Sequence, residues 1–303
     1  PDPSTFSSCP GMKYGQYVDW EKTDHDSATR YQKILSSDHT ELKELARSGF
    51  WAMPHTLRAR NYRHIIQCIR QHSRTTDGDT YCDLAGQLFG EHRTTYPFPK
   101  FMEYGEIPWY CLNKAGLTSV KKILLCASQR FPEVTFCPIL PALISLLLHY
   151  SEEETQCFHS ICSLVSYTDT KTYCRGICKL IASSHQSLFE FYSDWIIWIF
   201  ADLPVSYAIR VLDVYLIEGY KVLYQVALAL LSLYEDSVSS RVACVDDFWQ
   251  DMKRFVESIL HHSSGDALFQ RAFGIQLPTC QELAFLYKAN KQALMQKGIL
   301  IKR

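Results

Sequence analysis

Neither sign of charge dominates this sequence: 31 Lys and Arg stand against 32 Asp and Glu, a formal net charge of -1 at pH 7. That balance argues against wholesale nucleic-acid binding, which needs a basic surface, and leaves only local patches to consider. Long apolar runs are also missing. The two longest, Ile139 to Leu148 and Val222 to Leu233, fall short of the ~20 residues that span a bilayer, and the first carries Pro141. No basic, apolar and small-residue sequence opens the chain, so a secretory signal is not expected. The chain begins at Pro1 rather than Met, and a piece of a longer protein is the expectation. Gly-x-Gly spacing is absent, which speaks against a nucleotide site of its own. CxxC pairs are absent too, although there are 12 Cys. The densest group, Cys157, His159, Cys162, Cys174 and Cys178, lacks the spacing of a common structural zinc site. His64, His149 and the His261-His262 pair have no carboxylate or cysteine at a recognisable ligand spacing. A chain of 303 residues needs no disulfide staples, so free, mostly buried thiols are expected, with no metal and no cofactor.

What is present is helical pattern. Hydrophobic residues make up 47% and charged residues 21%, ordinary for a globular chain. Ser37-Asp38-His-Thr-Glu41 reads as a capping box, Leu42, Leu45 and Ala46 line one face, and Gly49 is a natural stop. His55 to Arg70 repeats apolar residues at helical spacing. Further helices are predicted over Val120 to Phe131, Pro141 to Tyr150, Glu152 to Leu164, Ser184 to Phe200, Asp246 to His261 and Thr279 to Met295. Thr75 to Pro108 reads as short helices joined by loops. Arg210 to Leu231 repeats apolar residues every three or four positions and is broken once, at Gly219. No segment sustains period-two alternation, so the fold class is all-α. Residues 1–35 are expected to be a flexible segment.

Three stretches resemble the motifs of TBC domains, the helical modules that act on Rab-type small GTPases. Arg47-Ser-Gly49-Phe-Trp with Leu57-Arg58 and Tyr62 resembles the opening motif, and Lys122 through Pro132 to Leu143 resembles the central one. Phe200-Ala-Asp-Leu-Pro204 through Leu231 resembles the last. The resemblance spans roughly residues 40 to 295 and is strongest to the synaptic-vesicle branch of the family. It implies a two-lobed domain over 36–303, with lobes of about 36–183 and 184–303. It also implies a cytoplasmic protein, peripheral on vesicle, endosomal or presynaptic plasma membrane, with a Rab-family or Arf-family GTPase as partner. In that branch a second, oxidation-resistance-type domain follows.

The chemistry implied is assisted GTP hydrolysis, in which the activator neutralises charge on the γ-phosphoryl group and orients the attacking water. The family supplies an arginine finger in Ile-x-x-Asp-x-x-Arg-Thr and a glutamine finger in Tyr-x-Gln-Gly. Here the first motif falls on Ile107-Pro-Trp-Tyr110-Cys-Leu-Asn113-Lys114, so Asn113 holds the arginine position. The second falls on Phe136-Cys-Pro138-Ile139, so Pro138 holds the glutamine position. Both fingers are replaced, and an arginine finger is worth on the order of 10³–10⁵ in rate. Weak or absent dual-finger activity is expected. Lys114, one residue on from Asn113, is a surrogate cation, as are Arg93 and Lys122, and an active Rab activator with non-standard residues is the alternative reading.

A separate set of cations invites an anionic ligand. Lys43 and Arg47, at i and i+4, share a helix face; Arg210 opens the signature segment, and Lys253-Arg254 is an adjacent pair on a late helix. Brought together without as many carboxylates, they suit the phosphates of a phosphoinositide headgroup. Against this stand local partners. Glu41 or Glu44 could pair with Lys43, Arg47 could be solvated, and Asp213 lies at i+3 from Arg210. Arg58, Asp213 and Glu218 are expected to be scaffold.

Overall fold

The computed structural model describes residues 14–15, 25–71, 80–90, 110–132, 134, 137, 139–166, 202–219, 221–237 and 245–277. The helices expected over Ser184 to Phe200 and Thr279 to Met295 lie outside these residues, as do Arg93, Pro138, Cys174, Cys178 and the 183/184 lobe boundary. The described elements are α1 (His25–Ser36), α2 (His39–Ser48), α3 (His55–Gln71), α4 (Thr80–Phe89), α5 (Lys114–Arg130), α6 (Ile139–His149), α7 (Glu154–Ser166), α8 (Val205–Glu218), α9 (Lys221–Ser237), α10 (Val245–Glu257) and α11 (Gly265–Gly274). Among the described residues no strand occurs, and the all-α expectation holds.

Local signals set several boundaries. Asp38 accepts the Glu41 amide at 2.8 Å while Glu41 Oε2 accepts the Asp38 amide at 3.3 Å, the reciprocal bonds of a capping box. Gly49 ends α2 at φ 74°, a left-handed value that costs a glycine little. α5 begins six residues earlier than expected, because the Asn113 side chain accepts the Gly116 amide at 2.8 Å and caps the helix there. Two helices lie where the sequence pattern does not predict them. α1 falls almost wholly within residues 1–35, expected to be flexible, yet Ile34 is fully buried and the helix packs on α3. α11 is capped by Ser264, whose hydroxyl accepts the Ala267 amide at 3.2 Å.

Every residue of α6 is buried, and it touches α5, α7 and α8. Each fully buried Leu or Ile side chain contributes about 1.5–3 kcal/mol, so this helix is the axis of the N-terminal packing. α8 is almost as buried; it packs on α9 and also takes contacts from α2, α3 and α6. The C-terminal end of α2, the turn after it and the flank of α8 therefore meet in one place, where the cations identified in the sequence lie.

Candidate functional site

The centre of that junction is a carboxylate. Asp213 of α8 is fully buried and accepts the Trp51 indole N–H at 3.0 Å, the Tyr62 hydroxyl at 2.7 Å, and Arg58 Nε and Nη2 at 2.9 and 3.0 Å. Burial works against the Arg58 charge, but Asp213 and the surrounding tyrosines more than offset it, so the guanidinium pKa is raised. The expected Arg210–Asp213 helical pair is reduced to a 3.8 Å contact, because Arg58 occupies the carboxylate bidentately. Asp213 and Arg58 are thus scaffold, linking α3 to α8 across 155 positions of sequence.

The neighbouring surface carries positive charge. Arg47 donates from Nε and Nη2 to Glu218 at 2.5 and 2.8 Å, and Lys43 Nζ lies 3.3 Å from Glu218 Oε2. Lys43 therefore pairs with Glu218 rather than with Glu41 or Glu44, and Arg47 is held rather than solvated. Arg210 donates from Nη2 to the Arg47 carbonyl at 3.2 Å, while its buried Nη1 has no hydrogen-bond acceptor. Gly49 makes this possible: a Cβ there would lie 2.7 Å from Arg210 Cζ. Phenylalanines seat both guanidinium groups, with Arg47 Cζ 4.7 Å from the Phe273 centroid and Arg210 Cζ 5.3 Å from Phe269. Two cations, Lys43 and Arg47, thus share Glu218, while Arg210 and Arg58 face Asp213, which Arg58 holds bidentately. The local charge is about two positive units in excess, and the direct contacts bring together Lys43, Arg47 and Arg210.

The remaining two cations are placed differently. Lys253 Nζ lies 3.9 Å from Asp202, just ahead of α8, and Arg254 is exposed on α10; the described contacts do not join them to the other three. No local pattern marks Glu218 as the partner shared by Lys43 and Arg47. Phe269 and Phe273, the seats, carry a local signal, their i,i+4 spacing after Ser264-Gly265.

The position matching the arginine finger has a defined geometry. Tyr110 and Cys111 adopt φ of 40° and 64°, both left-handed. The buried His149 ring donates from Nε2 to the Tyr110 carbonyl at 2.7 Å, and burial lowers its pKa to about 4, keeping it neutral. On the other side the Asn113 amide donates to the Tyr14 carbonyl at 3.1 Å. Asn113 directs its side-chain oxygen into the α5 cap, and Lys114 is exposed at the first position of the helix. Lys122 is drawn towards Glu154, at 3.9 Å. Pro138 lies outside the described residues.

The described cysteines are free, and no group of three or more His, Cys, Asp or Glu among the described residues could hold a metal. His64 has a cysteine neighbour that spacing did not suggest, Cys68 Sγ at 3.8 Å. No described helix is long and apolar enough to cross a membrane.

Comparison with known proteins adds the following. The family model described as the Rab-GTPase-TBC domain matches residues 110–179 and 170–238. TBC1 domain family member 24 of Xenopus tropicalis is 36% identical over 316 aligned positions, covering 96% of this chain and 56% of the relative. The chain thus spans about half the length of the curated relatives it matches. The crystal structure of the TBC domain of Skywalker from Drosophila melanogaster superposes with a TM-score of 0.70 at 22% identity, covering 87% of this chain and 95% of that one. The same domain in complex with inositol(1,4,5)triphosphate gives a TM-score of 0.65 at 21% identity, covering 84% and 98%. At these identities the two structures establish the fold.

Proposed function

This chain belongs to the Rab-GTPase-TBC domain family, and from that premise we propose that it regulates Rab-type small GTPases while docked on phosphoinositide membranes. Docking rests on one observation: Lys43 and Arg47 pair with a single Glu218, and beside them stands Arg210, bonded to the Arg47 carbonyl, whose nearest carboxylate, Asp213, is already held bidentately by Arg58. A phosphate group supplies the missing negative charge, and Arg forks match its geometry. Glu218 is the holder. It keeps Lys43 and Arg47 in place before the ligand arrives, which reduces the ordering cost on binding. The inositol phosphate bound by the Skywalker TBC domain is a ligand of the same chemistry. Lys253 and Arg254 of α10 are not joined to this cluster by the described contacts, and docking is assigned to the other three cations. Attachment is then peripheral, to vesicle, endosomal or presynaptic membrane.

Dual-finger chemistry is replaced on this reading. A neutral amide cannot reproduce a guanidinium at the γ-phosphate, and Asn113 uses its oxygen to cap α5. GTPase recognition without strong acceleration is the consequence. The second reading, an activator with non-standard residues, draws on Lys114, an exposed cation beside the finger position.

Liposome binding with and without phosphatidylinositol bisphosphate tests the docking, beside an Arg47→Glu/Arg210→Glu variant shown to fold by circular dichroism. Specific binding lost in the variant supports it; equal binding by both proteins refutes it. Multiple-turnover GTP hydrolysis with a Rab panel separates the two readings: acceleration abolished by Lys114→Ala would favour the activator.

A further inference from the structure

The turn after α2 carries a second set of charges that the phosphate cluster does not use. Phe50 follows Gly49, and its ring is covered by two cations of α1: Arg30 Cζ at 4.9 Å from the centroid and Lys33 Nζ at 5.2 Å. Arg30 also donates to the Met53 carbonyl at 2.7 Å, tying the turn to α1. Neither cation has a carboxylate partner among the described residues. A ring bears no net charge, so it positions two like charges near each other without cancelling either. Beside them Met53 is 55% exposed, one of four large apolar side chains that the described structure leaves open to solvent. The turn is continuous with the phosphate cluster, since Arg47 precedes it by two residues and Arg210 lies over Gly49.

Two uncancelled cations around a protruding apolar side chain match the chemistry of an anionic bilayer surface, where phosphates lie next to acyl chains. We propose that Arg30, Lys33 and Met53 form a second membrane contact: the two cations meet lipid headgroup charge and Met53 enters the interface, while Lys43, Arg47 and Arg210 hold one phosphorylated headgroup. This inference rests on the membrane-docking reading above and adds the lipid surface itself as a partner. A free inositol phosphate would engage only the phosphate cluster; a bilayer would engage both.

That difference supplies the test. Binding of the full chain is measured to soluble inositol trisphosphate and to phosphatidylcholine/phosphatidylserine vesicles with and without phosphatidylinositol bisphosphate. Wild type is compared with Arg30→Gln/Lys33→Gln and with Met53→Ser, all checked by thermal melting. Each basic residue at an anionic surface contributes roughly fivefold in binding, so the double variant should lose about 30-fold on vesicles. Met53→Ser should lose about fivefold through lost apolar burial. Soluble ligand should bind all three proteins alike. Unchanged vesicle binding by both variants, with soluble ligand still bound, overturns the second contact and leaves the phosphate cluster standing. A parallel loss of soluble ligand also overturns it, because the cations would then belong to the first site. Failure of wild type to bind either probe overturns both proposals.

Discussion

Replacing Asp213 by Asn is a sharp test of how the junction is held. The substitution keeps the shape and one carbonyl oxygen, so the Trp51, Tyr62 and Arg58 Nε donors that converge on Oδ1 retain an acceptor. The second oxygen becomes an NH₂ group facing Arg58 Nη2, a donor, across the former 3.0 Å bond. Arg58 is also left as an unpaired charge at 3% exposure. Breaking a buried pair on one side costs about 3–5 kcal/mol, and that is the expected loss in urea unfolding monitored by tryptophan fluorescence. Adding Arg58→Met removes the stranded charge and the donor clash together, so the double variant should be more stable than Asp213→Asn alone. A loss below about 1 kcal/mol for the single variant, or no recovery in the double, would refute the assignment of Asp213 as the scaffold carboxylate.

Two further outcomes follow from the site's geometry. His149 and His55 have pKa values lowered from 6.5 to about 4 and about 3, in both cases first by burial. The unfolded chain therefore binds protons that the folded one refuses: stability is complete above pH 6.5 and falls as pH drops towards 4. For His149 the effect is about 3 kcal/mol by linkage. His149→Gln, which keeps a donor for the Tyr110 carbonyl, should flatten the pH dependence of denaturant midpoints between pH 6.5 and 4. Gly49→Ala forces a side chain onto a φ of 74° and into Arg210. It should cost about 1–2 kcal/mol in thermal unfolding and weaken inositol trisphosphate binding in calorimetry; retained affinity would show that Arg210 is not needed where it sits.

Much of the fold was legible because its signals are local. Asp38 and Glu41 sit three residues apart and cap one helix, Gly49 and Gly219 each end a helix, and Lys43 and Arg47 fall on one face by spacing alone. The site was only half legible. Spacing offered Asp213 to Arg210 at i+3, but Arg58, 155 positions away, wins the carboxylate with a bidentate bond. Glu218 is 171 positions from Arg47 and has no sequence mark that joins it to α2. The short helix α11 carries the rings that seat Arg47 and Arg210, and without it those residues read as ordinary surface cations.

Joining Trp51, Arg58 and Tyr62 to Asp213 spans 151 to 162 residues of chain, and this has a consequence during synthesis. At 5–20 residues per second, the three donors are made about 8–30 s before the carboxylate that will receive them. Through that interval Arg58 lacks the carboxylate that pairs with it, and only Tyr62 and Tyr150 are there to offset its charge in the buried place it finally takes. The amino-terminal helices must therefore wait on the ribosome in a partly open arrangement, with an indole and a phenol still facing water. The domain closes only when α8 emerges, and a pause in translation just upstream of codon 213 would lengthen the exposed period in direct proportion.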